Sequence, residues 1–127
     1  MVIPLRHRRL SERLARVAGY EQTVTEVEVE HEKVRRRESP GGDLKLLADL
    51  LPKAKVAPAR LPESLKATAL QLAWALSTYL TESEPTPGEG KAGRRERLER
   101  RRDADRDLTA IVAATYAALE KYKTTGR

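Results

Sequence analysis

The chain has 127 residues, 39% apolar and 35% charged, with a formal charge of +6. That suffices for one modest core, leaves no room for a second globular domain, and favours an anionic partner. Cysteine, phenylalanine and asparagine are absent and there are one Trp and four Tyr, which excludes disulfides and thiolate metal sites and removes the aromatic platform on which single-stranded bases stack.

In chain order, Pro4 opens a first expected helix, LRHRRLSERLARVAG, with Leu10, Leu14 and Val17 at i, i+4, i+7 and Gly19 as its stop. Arg6, Arg9, Arg13 and Arg16 recur as a second stripe, so this helix would lie between something apolar and something anionic. Glu12 sits at helical spacing from Arg9 and Arg16 and could simply pair with them. Residues 23–37 alternate as a strand would, with Val27, Val29 and His31 on one side and Glu26, Glu28, Glu30 and Glu32 on the other. Val24, Val27, His31 and Val34 also make a helical seam. The run continues through KVRRRE without a turn residue, which favours a helix. His31 is expected to be a packed or capping side chain, since His7 is its only possible histidine partner.

After the break at Ser39-Pro40-Gly41-Gly42, Asp43 is the expected N-cap of a short helix carrying Leu44, Leu47, Leu50 and Leu51 and closed by Pro52. Residues 53–62 read as an irregular, proline-rich crossing. Pro62 begins a longer helix to about Thr81. Its seam is Leu65, Ala69, Leu72, Leu76, Tyr79 and Leu80, widened by Leu70, Ala73, Trp74 and Ser77, a breadth that suits the central helix of a bundle. A turn-rich linker near residues 82–93 leads to the last helix, in which Leu108, Ile111, Val112, Leu119 and Tyr122 face inward. Before them, RRERLERRRDADRD has only Leu98 and Ala104 to bury, so a helix continuous from Arg94 would project from the bundle or lie on a partner. Glu96 with Arg100, Arg95 with Glu99 and Arg101 with Asp105 could brace it.

The positive charge comes from seventeen arginines and only eight lysines, and the arginines crowd into runs at 6–16, 35–37 and 94–106. A guanidinium presents a planar fork that matches phosphate bidentately, so clusters in segments poor in core residues point to a nucleic-acid-facing surface. The candidate contacts are Arg6, Arg8, Arg9, Arg13, Arg16, Arg35, Arg36, Arg37, Arg94, Arg97, Arg101 and Arg102. The first run ranks highest because Glu12 is its one close acid, whereas the last is interleaved with Glu96, Glu99, Asp103 and Asp105.

No catalytic pattern is present: the sequence lacks GxxxxGK[ST], GxGxxG, HExxH, CxxC and GxSxG. Asp103, Asp105 and Asp107 have metal-like spacing, but alternate residues of a helix diverge and the flanking arginines compete for their carboxylates. A non-enzymatic protein without cofactor or metal is expected. The most apolar run, 67–80, is too short and interrupted to span a bilayer, and the basic start has no apolar stretch behind it. The expected location is therefore intracellular, or a virion, without secretion by a signal peptide.

These elements give an all-α fold, a small helical bundle at 39–127 with a basic N-terminal helical arm at 1–38 outside it. In plan the chain resembles the major capsid proteins of filamentous and rod-shaped viruses of hyperthermophilic archaea. The resemblance rests on the arginine-rich arm (Arg6, Arg8, Arg9, Arg13, Arg16), the Gly41-Gly42 break, the leucine-alanine bundle and the near absence of thermolabile side chains. It implies a structural subunit that coats double-stranded DNA without reading bases and self-associates, or pairs with a paralogous subunit, in a helical filament of a thermophilic host's virus. The acidic Glu26, Glu28, Glu30 and Glu32 depart from that plan, since at least one face of the arm would have to turn away from DNA or toward a neighbour's arginines. The chain is also similar in size and character to the small helical subunits of type III CRISPR effector complexes, which line an RNA duplex; RNA is thus the second candidate ligand. A helix-turn-helix regulator fits less well, because no recognition helix with polar base-readers is visible.

Overall fold

The computed structural model describes the backbone of residues 5–36 and 42–126, and the side chains of 12–36 and 44–126. It is all-α: α1 (Leu5–Arg36), α2 (Gly42–Asp49), α3 (Leu51–Val56), a 3-10 turn (Ala57–Arg60), α4 (Glu63–Ser83) and α5 (Lys91–Thr125).

Helix α5 is the spine. Helix α4 runs antiparallel along it in the most extensive packing of the molecule, and α1 lies on its other flank. The direction of α1 follows from its cross-links to α5. Glu21 pairs with Lys123, the Tyr116 hydroxyl donates to Thr25 Oγ1 at 2.9 Å, and His31 reaches Asp105, so α1 ascends as α5 descends. α2, α3 and the 3-10 turn close the remaining side, joining α1 to α4.

Three sequence expectations are corrected here. First, the described part of residues 1–38 is not an arm outside the bundle. Val17, Tyr20, Val24 and Val27 are buried in the same core as Leu72, Leu76, Leu108 and Val112. Residues 12–16 are exposed, so only the first part of α1 stands clear of the core. Gly19 does not stop the helix; it is exposed with open space where a side chain would go. A glycine inside a helix costs about 1 kcal/mol relative to alanine, less than the roughly 1.5–3 kcal/mol from burying one large apolar side chain, and four such residues are buried around it.

Second, the proline-rich crossing is mostly helical. α2 starts at Gly42, one residue before the expected cap Asp43, whose side chain lies outside those described. Pro52 does not end a helix but sits in the first turn of α3, where its missing N–H has no intrahelical acceptor to lose. Pro58 occupies the equivalent place in the 3-10 turn and is buried. Third, α4 buries Leu65, Ala69, Leu72, Ala73, Leu76 and Tyr79, but Leu70 and Trp74, expected to widen that seam, face outward. Residues 23–36 are helical throughout, and α5 buries Leu108, Val112, Leu119 and Tyr122 as its periodicity requires, with Ile111 partly covered.

Helix α5 ends on Gly126, whose φ of 72° is left-handed and whose N–H bonds the Tyr122 carbonyl at 2.7 Å, an arrangement that glycine adopts without strain. Buried polar groups are mostly satisfied. Thr115 returns its hydroxyl to the Ile111 carbonyl at 2.6 Å, whereas the Tyr20 hydroxyl is buried without a partner, and burial pushes its pKa up.

Candidate nucleic-acid interface

The first three turns of α5 do not project. Arg97 is buried, its side chain 7% exposed, and its Nε lies 3.1 Å from both carboxylate oxygens of Glu89 while Nη1 donates to the Glu82 carbonyl at 3.2 Å. That arginine ties α5 to the C-terminal end of α4 and to the connection between them. Arg100 adds a 3.0 Å bond to the Glu82 carboxylate. Arg97, a sequence candidate for phosphate contact, is therefore a structural residue: its Nε and Nη1 are engaged inside the fold and it has almost no surface to offer.

One turn further on, α1 and α4 meet α5 through His31. The imidazole is 4% exposed, packs edge-on against Tyr79 with ring centroids 4.8 Å apart, and bonds Asp105 through Nε2 at 2.7 Å. Burial lowers the His31 pKa below its ordinary 6.5, and Asp105, by hydrogen bond and charge, only partly offsets this. The ring is thus neutral near pH 7, with the Nε2 proton donated to the carboxylate. Arg35 Nε stands 3.4 Å from the same Asp105 oxygen.

This use of Asp105 decides which arginines are free. The expected pair of Arg101 with Asp105 is not made, because the carboxylate is turned toward His31 and Arg35. Arg100 takes Glu82 instead of Glu96, and Asp103 pairs with Arg106. Among the described residues Arg94, Arg95, Arg101 and Arg102 make no ion pair with any acid, so the bracing pairs read from the sequence are absent. Of the four acids that looked as if they cancelled this run, Asp105 turns to α1 and Asp103 pairs with Arg106, while Glu96 and Glu99 make no ion pair among the described residues.

The freed arginines surround two adjoining hollows. A cleft of about 530 Å³ between α1 and α5 is lined by Val34, Arg35, Tyr79, Leu98, Arg101, Arg102 and Asp105. A smaller one of about 360 Å³ is lined by Lys91, Arg94, Arg95, Leu98, Glu99 and Arg102. Leu98 and Arg102 belong to both, which makes one surface with six cations and two carboxylates. Lys91 and Arg95 were absent from the sequence candidates. The signal was legible: Lys91, Arg95, Leu98 and Arg102 fall at i, i+4, i+7, i+11, a single helical stripe.

The other candidates are placed elsewhere. Arg36 is exposed at the end of α1 and bonds Glu32 at 3.0 Å, and Arg37 lies outside the described residues. Arg13 and Arg16 are exposed at the far end of α1, with no ion pair to Glu12. Nineteen residues separate Arg16 from Arg35, about 28 Å along a helix, so the N-terminal run belongs to a different surface. Arg6, Arg8 and Arg9 lie in the first turns of α1, with side chains outside those described. Of the glutamates that troubled the sequence reading, Glu28 accepts from Tyr116, Glu30 pairs with Lys33, and Glu32 pairs with Arg36 and with Arg35 of the cleft.

Among the described residues no helix is long and apolar enough to cross a membrane, and no group of three histidine, aspartate or glutamate side chains could hold a metal ion. Comparison with protein families, with curated proteins and with solved structures finds none that matches the chain.

Proposed function

We propose that this protein is a structural nucleic-acid-coating subunit that grips the phosphate backbone of double-stranded DNA with the surface around Leu98, without reading bases, and acts in many copies as the capsid or nucleocapsid subunit of a helical filament. The observation that carries the reading is the set of arginines on α5, Arg94, Arg95, Arg101 and Arg102, left without acidic partners beside Arg35 on a concave surface. Unpaired guanidinium groups held on a rigid helix suit repeated phosphates, and the absence of asparagine and scarcity of glutamine leave few side chains for base readout. This surface takes precedence over the N-terminal run, reversing the order suggested by sequence.

The test is a titration of two unrelated short duplexes at several salt concentrations. With about five phosphates contacted per subunit the logarithmic salt slope is near −4 to −5, and the two affinities agree closely. A sequence preference above about a hundredfold, some 2.7 kcal/mol, or a slope near zero, overturns the reading. Electron microscopy of the protein with long linear DNA tests the filament itself.

One observation favours a second reading. The basic surface lies on the folded body and not on a separate arm, as would suit a subunit lining an RNA duplex within a mixed assembly, the role of the type III CRISPR small subunits that the chain is similar to in size. Preference for an RNA duplex, with discrete complexes and no filaments on DNA, would select it.

A further inference from the structure

Trp74, the single tryptophan, is 77% exposed, and its neighbour Leu70 is exposed as well. They form one wall of an open groove of about 670 Å³, completed by Gln71, Ala75, Ala110, Ile111, Ala114 and Asp107. Asp107 is its only charged lining residue and makes no ion pair among the described residues. Leaving a tryptophan and a leucine beside water forgoes burial of roughly 1.5–3 kcal/mol for each large side chain, and such surfaces mark interaction sites. The groove spans residues 70–75 of α4 and 107–114 of α5, about 8–10 Å, or two helical turns.

The first part of α1 has the complementary character. From Glu12 to Arg16 every side chain is exposed, Leu14 at 52% among them, so none of this segment is buried in the core of its own subunit. Leu10 and Leu14 form a narrow apolar stripe one turn apart, flanked by Arg6, Arg9, Arg13 and Arg16. The exposed Leu14 suits the apolar wall of the groove, and the adjacent Arg13 meets the unpaired Asp107 carboxylate.

We infer that the Trp74 groove is the docking site for the N-terminal segment of α1 of a second copy, with Leu14 seated against Leu70, Trp74 and Ile111 and Arg13 beside Asp107. Such contact is head-to-tail, so each subunit offers a groove and a segment, and the chain of subunits propagates. A groove-to-groove twofold would leave Asp107 without a cation. The interface is small and weak in isolation, and copies held side by side on one nucleic acid would engage at high effective concentration. The inference rests on the coating role for its purpose, but the segment and groove are distinct from the basic cleft and are tested without nucleic acid.

Sedimentation velocity of the full chain at low salt, from micromolar to millimolar concentration, should give a weight-average mass that rises at least twofold, with the Trp74 emission shifting to the blue as the ring leaves water. Trp74→Ser and Leu14→Ser, both at exposed positions, should each stay monomeric while keeping the wild-type circular dichroism spectrum and the wild-type affinity for a short duplex. Mixed, the two variants should form a heterodimer and nothing larger, because only one good groove and one good segment remain in the pair. A monomeric wild type at millimolar concentration overturns the inference. So does a Leu14→Ser protein that associates like wild type, which would mean that grooves pair with each other, or a Trp74→Ser protein that does so. Loss of duplex binding by the wild type, with association intact, would sink the coating role and leave this interface standing.

Discussion

Arg97 and the pair Arg101 and Arg102 lie within two turns of one helix, yet the first is buried and paired while the other two make no ion pair among the described residues, so under the proposed coating role replacing them should separate stability from binding. In Arg97→Met the packing volume is retained while three hydrogen-bonded contacts, two to Glu89 and one to the Glu82 carbonyl, are lost. Glu89 is left 14% exposed with its cation gone. Breaking a buried pair from one side costs about 3–5 kcal/mol. Because Glu89 sits on the connection at 84–90, which can shift to hydrate the carboxylate, the lower figure applies, about 3 kcal/mol. For a chain of this size that lowers the melting temperature by roughly 10 °C. Adding Glu89→Gln should return part of the loss, since the orphaned charge is then removed as well. In the double variant Arg101→Gln, Arg102→Gln nothing inside the fold is broken, so the melting temperature stays within about 2 °C of wild type. Two phosphate contacts are removed, so the salt slope for a short duplex falls by about 1.8. Thermal melts by circular dichroism and fluorescence anisotropy across a potassium chloride series read both quantities. An Arg97→Met protein that melts normally and loses salt slope, or a double variant that keeps its full slope, would refute the division of roles.

Two further predictions follow from the core. Because burial depresses the His31 pKa, the folded state holds fewer protons than the unfolded state just below pH 6.5; this contribution to stability is complete above that pH and is lost as the pH falls toward the folded value. Melts at pH 7.5 and 5.5 should therefore differ more for wild type than for His31→Gln, by no more than about 1.4 kcal/mol per pH unit, and equal pH slopes would show that His31 is not buried neutral. Truncation should divide α1 at Val17: removing residues 2–12 leaves a cooperatively melting helical protein, whereas removing 1–38 takes away Val17, Tyr20, Val24, Val27 and His31 and abolishes the folded state. A folded remainder after the longer deletion would mean that α1 contributes little to the core.

The helices of this chain were legible wherever an apolar seam repeated without interruption. Leu65 to Tyr79 and Leu108 to Tyr122 specify α4 and α5 because every third or fourth residue has the same neighbour to bury against. The reading failed where a local signal competed with tertiary burial. Gly19 and Pro52 are sound punctuation in isolation. In the fold, the burial of Val17, Tyr20, Val24 and Val27 outweighs the one, and the other is reused as a helix start. The outward turn of Trp74 was hidden for a related reason: a broad apolar stripe says that a helix buries much, but not whether a neighbour in the same subunit covers all of it.

The basic surface was half legible, and the part that failed is instructive. Arginine clustering located the segment that carries the unpaired arginines, but pairing acids to arginines by i, i+4 spacing assigned Asp105 to Arg101 and treated the run as partly cancelled. In the folded protein Asp105 has a better offer from outside its own helix, a buried neutral imidazole at 2.7 Å reinforced by Arg35. A hydrogen bond formed in a desolvated pocket outweighs an exposed pair worth about 0.3–0.5 kcal/mol. The same logic runs the other way at Arg97, where the tertiary carboxylate of Glu89 takes a guanidinium that spacing alone left on the surface. Which arginines remain for a phosphate is thus set by where the interior carboxylates go, a property of three helices together that no single helical wheel contains.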